Sequence, residues 1–165
     1  MQIIIVSGTT STGKTSIARK ISSEFKLKIL SKDEIKETLF VSNKKPPSLK
    51  SWKYYESESL RLFYEKLKLC IKNHQSVVIE SNFHRQDISL LNSVLNGLEI
   101  KEVYCRARGL AVITRYIKRN ERGERNPAHL DKLWYLLVIV TNIFSPLARR
   151  WNPPMSKDKK TNSRY

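Results

Sequence analysis

A chain of 165 residues, 40% of them hydrophobic, suits one domain with a single core and needs no staples to hold it. Its net charge of +16 fits either a nucleic-acid partner or an enzyme that handles phosphates, and the lysines are spread along the whole chain. Cys70 and Cys105 match no metal spacing, the first apolar run (residues 3–6) ends in a glycine loop instead of a cleavage site, and the longest apolar stretch (residues 133–144) is too short for a bilayer. A cytoplasmic protein with reduced thiols and no membrane partner is expected, as a monomer or weak dimer.

IIIVSG, from residue 3, predicts a buried strand: a short β-branched run ending in a turn. Residues 15–25 have helical spacing, with Ile17, Ala18, Ile21 and Phe25 on one side. LKIL (27–30) predicts a second strand, and Ser31 or Asp33 can cap a helix over 34–40. SNKKPPSLK predicts a loop through its adjacent prolines, and residues 54–72 a longer amphipathic helix. SVVIE (76–80) reads as a third strand, its contiguous apolar residues suiting a parallel sheet buried on both faces. A helix over 88–95, a strand at IKEVYCRA and a helix over 110–119 follow, and 133–144 reads as a buried helix. After Pro146 the sequence turns basic and polar, which predicts a flexible tail over 147–165 behind a domain over 1–146. Strands alternating with helices predict a three-layer α/β domain with a parallel sheet.

The loop after the first strand, GTTSTGKT, fits G-x-x-x-x-G-K-[ST] and lies between a predicted strand and a predicted helix. Gly8, Thr9, Thr10, Ser11, Thr12 and Gly13 would wrap phosphate oxygens with backbone N–H groups, and the helix start at Lys14, Thr15 and Ser16 adds its partial positive charge. The Lys14 ammonium would neutralise the β- and γ-phosphates, and the Thr15 hydroxyl would ligate Mg²⁺. No N-K-x-D segment reads a guanine base, and the chain is too short for a helicase or motor domain. A small kinase remains.

Three further stretches fit a kinase. In ILSKDEIKETL, Asp33 would stand at the carboxyl edge of the sheet, either as a base for an attacking hydroxyl or as a helix cap. In VVIESNFHR, Glu80 ends a strand where it could hold Mg²⁺ through water or orient a substrate; Asn82 and Arg85 could line the same cleft, and an ordinary exposed loop is the alternative. In RYIKRNERGERNPAH, Arg115 and Arg119 share a helix face, with Arg122 and Arg125 close behind. Arginine's planar fork suits a transferring phosphoryl group, and Gly123 and Pro127 suit a mobile lid; a solvated basic helix is the alternative.

With GTTSTGKT, SKDEIKETL, ESNF and RNPAHLD together, residues 1–131 resemble the small P-loop kinases grouped with zeta toxins, chloramphenicol phosphotransferase and the kinase domain of phage polynucleotide kinase. The nearest likeness is to a bacterial AAA-type branch of predicted ATPase-kinases carrying a GTxGSGKT-type loop, SKDxIKExL, ESNF and an R-x-PGH lid. The resemblance implies strand order 2-3-1-4-5, ATP with Mg²⁺, and phosphoryl transfer to a hydroxyl. It gives Asp33 the role of base, Arg115, Arg119 and Arg125 the role of lid arginines, and His129 that of lid histidine. NPAH replaces the usual PGH, which stiffens the hinge. Relatives continue into a fifth strand and an adenine-covering loop, whereas this sequence runs into its basic tail. A shortened chain with order 2-3-1-4 is therefore expected. Three functions compete: a kinase of a hydroxyl-bearing small molecule, a polynucleotide 5′-hydroxyl kinase favoured by the charge, and a nucleotide-binding remnant without transferase activity.

Overall fold

The computed structural model describes residues 1–43, 46, 48–83, 85–123 and 126–129. The apolar stretch 133–144, the tail over 147–165 and the boundary between domain and tail lie outside the described residues.

The elements follow in the order β1 (Gln2–Gly8), α1 (Lys14–Phe25), β2 (Lys28–Ser31), α2 (Lys32–Asn43), α3 (Leu49–Lys72), β3 (Val77–Glu80), α4 (Arg85–Leu95), β4 (Glu99–Cys105), α5 (Gly109–Glu121) and a short 3₁₀ turn, Pro127–His129. The strands form one parallel sheet in the order β2-β3-β1-β4. β1 connects through α1 towards one edge, and β3 connects through α4 to the other. The crevice at the carboxyl ends of β1 and β3 is therefore where an open α/β sheet takes its ligand.

β1 explains the layering. Successive side chains of a strand point to opposite faces. Ile3 and Ile5 join Val77, Ile79 and Leu30 on one face, under Ile35 of α2, Phe63 and Leu67 of α3, and Leu91 and Leu95 of α4. Ile4, Val6 and Val78 face the other way, with Ala18 of α1 and Cys105. Both faces are covered at β1 and β3, so their apolar residues run without alternation. Cys70 and Cys105 are free, buried, and in cores on opposite faces of the sheet.

The element bounds depart from the sequence reading mostly at helix starts. α3 begins at Leu49, five residues before the predicted start, because Ser48 caps it: Ser48 Oγ accepts from the Ser51 N–H, and Ser51 Oγ from the Ser48 N–H. This is a capping box with serine in the place usually held by glutamate or glutamine, so the sequence signal was faint. α2 begins at Lys32, directly after β2, and α4 at Arg85. Among the described residues, no helix is long and apolar enough to cross a membrane.

Candidate active site

The strand register assembles the site. β3 lies between β2 and β1, with Glu80 level with Ser31 on one side and Val6 on the other. The last residue of β3 is thereby delivered to the loop that leaves β1. Glu80 is buried, and its carboxylate accepts from Ser31 Oγ at 2.7 Å and from Thr15 Oγ1 at 3.4 Å. Burial raises its pKa above the usual carboxylate range; the Ser31 hydrogen bond opposes this, Asp33 adds to it, and Lys14 opposes it.

The loop between β1 and α1 is built on two glycines with different tasks. Gly8 has φ 140° and sits against β4, where an added Cβ would stand 2.3 Å from the Cys105 carbonyl oxygen. Gly13 caps α1 in the left-handed conformation, φ 94°, with open space beside it. The first glycine admits the close approach of β4, and the second turns the chain into the helix. Gly8→Ala combines a backbone clash with an unfavourable φ. It is expected to cost at least about 2 kcal/mol of stability in denaturant unfolding. A loss below about 0.5 kcal/mol, the range of an ordinary surface change, would contradict this packing role.

Between the glycines, the Thr9 carbonyl accepts from Lys14 Nζ at 2.8 Å and from Thr12 Oγ1 at 2.7 Å. Ser11 takes φ 59°, and its Oγ is buried without a hydrogen-bond partner. A loop holding a buried lysine, strained backbone and an unsatisfied hydroxyl is suited to enclosing an anion.

A cavity of about 740 Å³ opens at this edge of the sheet. Thr10, Ser11, Gly13, Lys14, Thr15 and Ser16 form its floor. Ser31, Asp33, Glu34, Glu37 and Glu80 line it as an acidic wall from β2, α2 and β3, with Arg19 of α1 against Glu34, and Arg115, Lys118, Arg119 and Arg122 line it from α5 and the residue after it. Of the residues the sequence singled out, the cavity brings together Lys14, Thr15, Ser16, Asp33, Glu80, Arg115 and Arg119 with the loop. Gly8, Thr9 and Thr12 lie outside its lining. Arg125 lies outside the described residues. His129 is buried, with Nε2 3.0 Å from Glu37 Oε1, so the Pro127–His129 turn docks on α2 at the acidic wall.

Asp33 is the second residue of α2, and the cap lies elsewhere: the Glu34 N–H donates to Ser31 Oγ at 3.4 Å. Sequence reading took Ser31 only as a candidate helix cap and missed it as a site residue, although a hydroxyl directly after a predicted strand and two residues before Asp33 was a usable signal. Glu34, Glu37 and Arg19 were missed as well, because a helix pattern alone does not say which face meets a cleft. Among the described residues, no group of three or more His, Cys, Asp or Glu side chains could hold a metal. A hard cation at Thr15 and Glu80 would therefore draw most of its ligands from phosphate and water, as Mg²⁺ commonly does.

No family model matches the chain. No curated protein matches it in sequence either. Solved structures do match. A candidate kinase from Chloroflexus aurantiacus J-10-fl superposes with a TM-score of 0.72 at 26% identity, over 78% of this chain and 70% of that one. A chain of the Pnkp1/Rnl/Hen1 RNA repair complex gives 0.60 at 18% identity, over 86% of this chain but only 45% of its own length. APE1195 gives 0.55 at 20% identity, over 94% and 80%. With the parallel sheet in the order β2-β3-β1-β4 and the glycine loop at its carboxyl edge, these likenesses place the fold of this chain in the P-loop kinase group.

Proposed function

We propose that this protein is a kinase that binds ATP with Mg²⁺ and transfers the γ-phosphoryl group to a hydroxyl of a small molecule. One observation carries the reading: Lys14, Thr15, Glu80, Asp33, Arg115 and Arg119, contributed by four separate elements, all line one cavity. The kinase-like structural neighbours support a phosphotransferase in general.

Each residue has a task in such a transfer. The loop and Lys14 hold the phosphates. Thr15 and Glu80 offer oxygen ligands to Mg²⁺, which when bound neutralises phosphate charge. Asp33 accepts the hydrogen bond and then the proton of the acceptor hydroxyl. The hydroxyl oxygen bonds to the γ-phosphorus as the bond to the β–γ bridging oxygen breaks, and ADP leaves. Arg115 and Arg119 of α5 take up charge on the transferring group. A cytoplasmic location, where ATP is found, goes with this reading.

Binding is tested through Lys14. Mg·ATP at about 100 times its dissociation constant is expected to stabilise wild type by roughly 2.7 kcal/mol in thermal or denaturant unfolding, and Lys14→Ala to lose most of that gain. Equal behaviour of the two proteins, with no gain in either, would show a loop that holds no nucleotide.

A polynucleotide 5′-kinase is the second reading, favoured by the net charge of +16 and the basic wall. It predicts oligonucleotide binding that falls steeply with salt.

A further inference from the structure

We propose that the acceptor is a small polyhydroxy compound carrying a protonated amine, selected by Glu34 and Glu37. This rests on the kinase reading above and names its substrate class.

The elements that line the cavity differ in charge. Among the described residues, every basic one that lines it comes from α1, or from α5 and the residue after it. Every residue that α2 contributes is a carboxylate: Asp33, Glu34 and Glu37. The segregation is unexpected in a chain with a net charge of +16. It arises because α2 turns its two inner lysines away: Lys32 and Lys36 are buried against Glu56 of α3, outside the cavity lining.

The anionic phosphates belong with Lys14 and the arginines, which leaves the α2 wall for the acceptor. An acidic acceptor there would meet three carboxylates and no α2 cation. A neutral polyol would gain hydrogen bonds but no charge-assisted one. An ammonium group beside the reacting hydroxyl does both. The two selecting carboxylates are accessible to it. Glu34 holds only a surface pair with Arg19 at 3.3 Å, with both side chains more than half exposed, and such pairs exchange readily. Glu37 lies against His129 at the rim, and its side chain remains 41% exposed. Among the described residues, no ion pair engages Asp33, so it stays available to the hydroxyl. A cavity of about 740 Å³ has room for phosphates and a compound of one or two rings.

The experiment is a transfer assay with labelled ATP over matched sets of monosaccharides and cyclitols in amine, N-acetylated and carboxylate forms, with a 5′-hydroxyl oligonucleotide alongside. Mg·ATP binding is measured on the same samples. Amine forms are expected to exceed their N-acetylated partners by about tenfold in kcat/KM, as one charge-assisted hydrogen bond provides. The double variant Glu34→Gln, Glu37→Gln is expected to lose that margin while Mg·ATP binding stays. The wild-type comparison decides the matter even where the variant melts early. Nucleotide binding without an amine preference, or a preference for the carboxylate forms or the oligonucleotide, overturns the proposal and leaves the kinase reading standing. Failure of both measurements overturns both.

Discussion

Asp33→Asn is expected to lower phosphoryl transfer by about 10²–10⁴-fold, the usual span for a general base, while melting temperature and Mg·ATP binding stay close to wild type. The separation of effects follows from the local structure. The start of α2 uses Ser31, not Asp33, to satisfy the Glu34 N–H, so the helix loses no cap when Asp33 becomes an amide. Asp33 is also one cause of the raised pKa of Glu80, and removing its charge relieves that repulsion. Binding therefore has no reason to weaken. Stopped-flow or quench-flow measurement of transfer against the substrate identified by the panel reads the effect. A normal rate would move the base elsewhere, with Glu80 the next carboxylate in the cavity.

Glu56→Gln is expected to have the largest effect on stability. Glu56 sits between the ammonium groups of Lys32 and Lys36, which are 7% and 3% exposed at their side chains. Lys36 also lies 5.0 Å from the centre of the Trp52 ring. Burial pushes the Glu56 carboxyl up, but the charges and hydrogen bonds of Lys32 and Lys36 outweigh this and hold its pKa at about 2. Removing the carboxylate leaves two buried cations without a counter-charge. Breaking such a group costs about 3 kcal/mol, the low end of the usual range because Glu56 is itself 32% exposed. The same pairing makes stability depend on acid. A carboxyl that holds its proton less tightly folded than unfolded stabilises fully above its unfolded pKa near 4.5, and the contribution fades as pH falls towards 2. Wild type should lose stability over that window, and Glu56→Gln should lose distinctly less there. Parallel acid profiles for the two proteins would contradict the pairing.

How much of this was legible depended on sequence distance. The glycine loop was legible because its requirements are local: a left-handed residue at Gly13, a side-chain-free residue at Gly8, and a lysine and threonine at the helix start. The pairing of Arg115 with Arg119 followed from helix periodicity alone. The four-stranded order agreed with what the family resemblance implied, and the contiguous apolar runs at β1 and β3 fit strands covered on both faces. The contacts that shape the site were not legible in this way. Ser31 meets Glu80 across 49 residues, and Glu37 meets His129 across 92. Lys32 and Lys36 look like any exposed i,i+4 pair until α3 brings Glu56 to them. Which side of α2 faces the cleft was settled by α3 packing against the other side, and no periodicity in α2 itself records that.

The measurement that tests the central claim most directly is the fate of the labelled γ-phosphate. The full chain is incubated with Mg²⁺, γ-labelled ATP and the panel of hydroxyl compounds, with Lys14→Ala as the control. A labelled phosphate ester is expected with wild type, at a level that collapses in the control and in Asp33→Asn. Label that stays on ATP, or appears only as inorganic phosphate at the same rate in wild type and control, would contradict a phosphoryl transfer at this cleft.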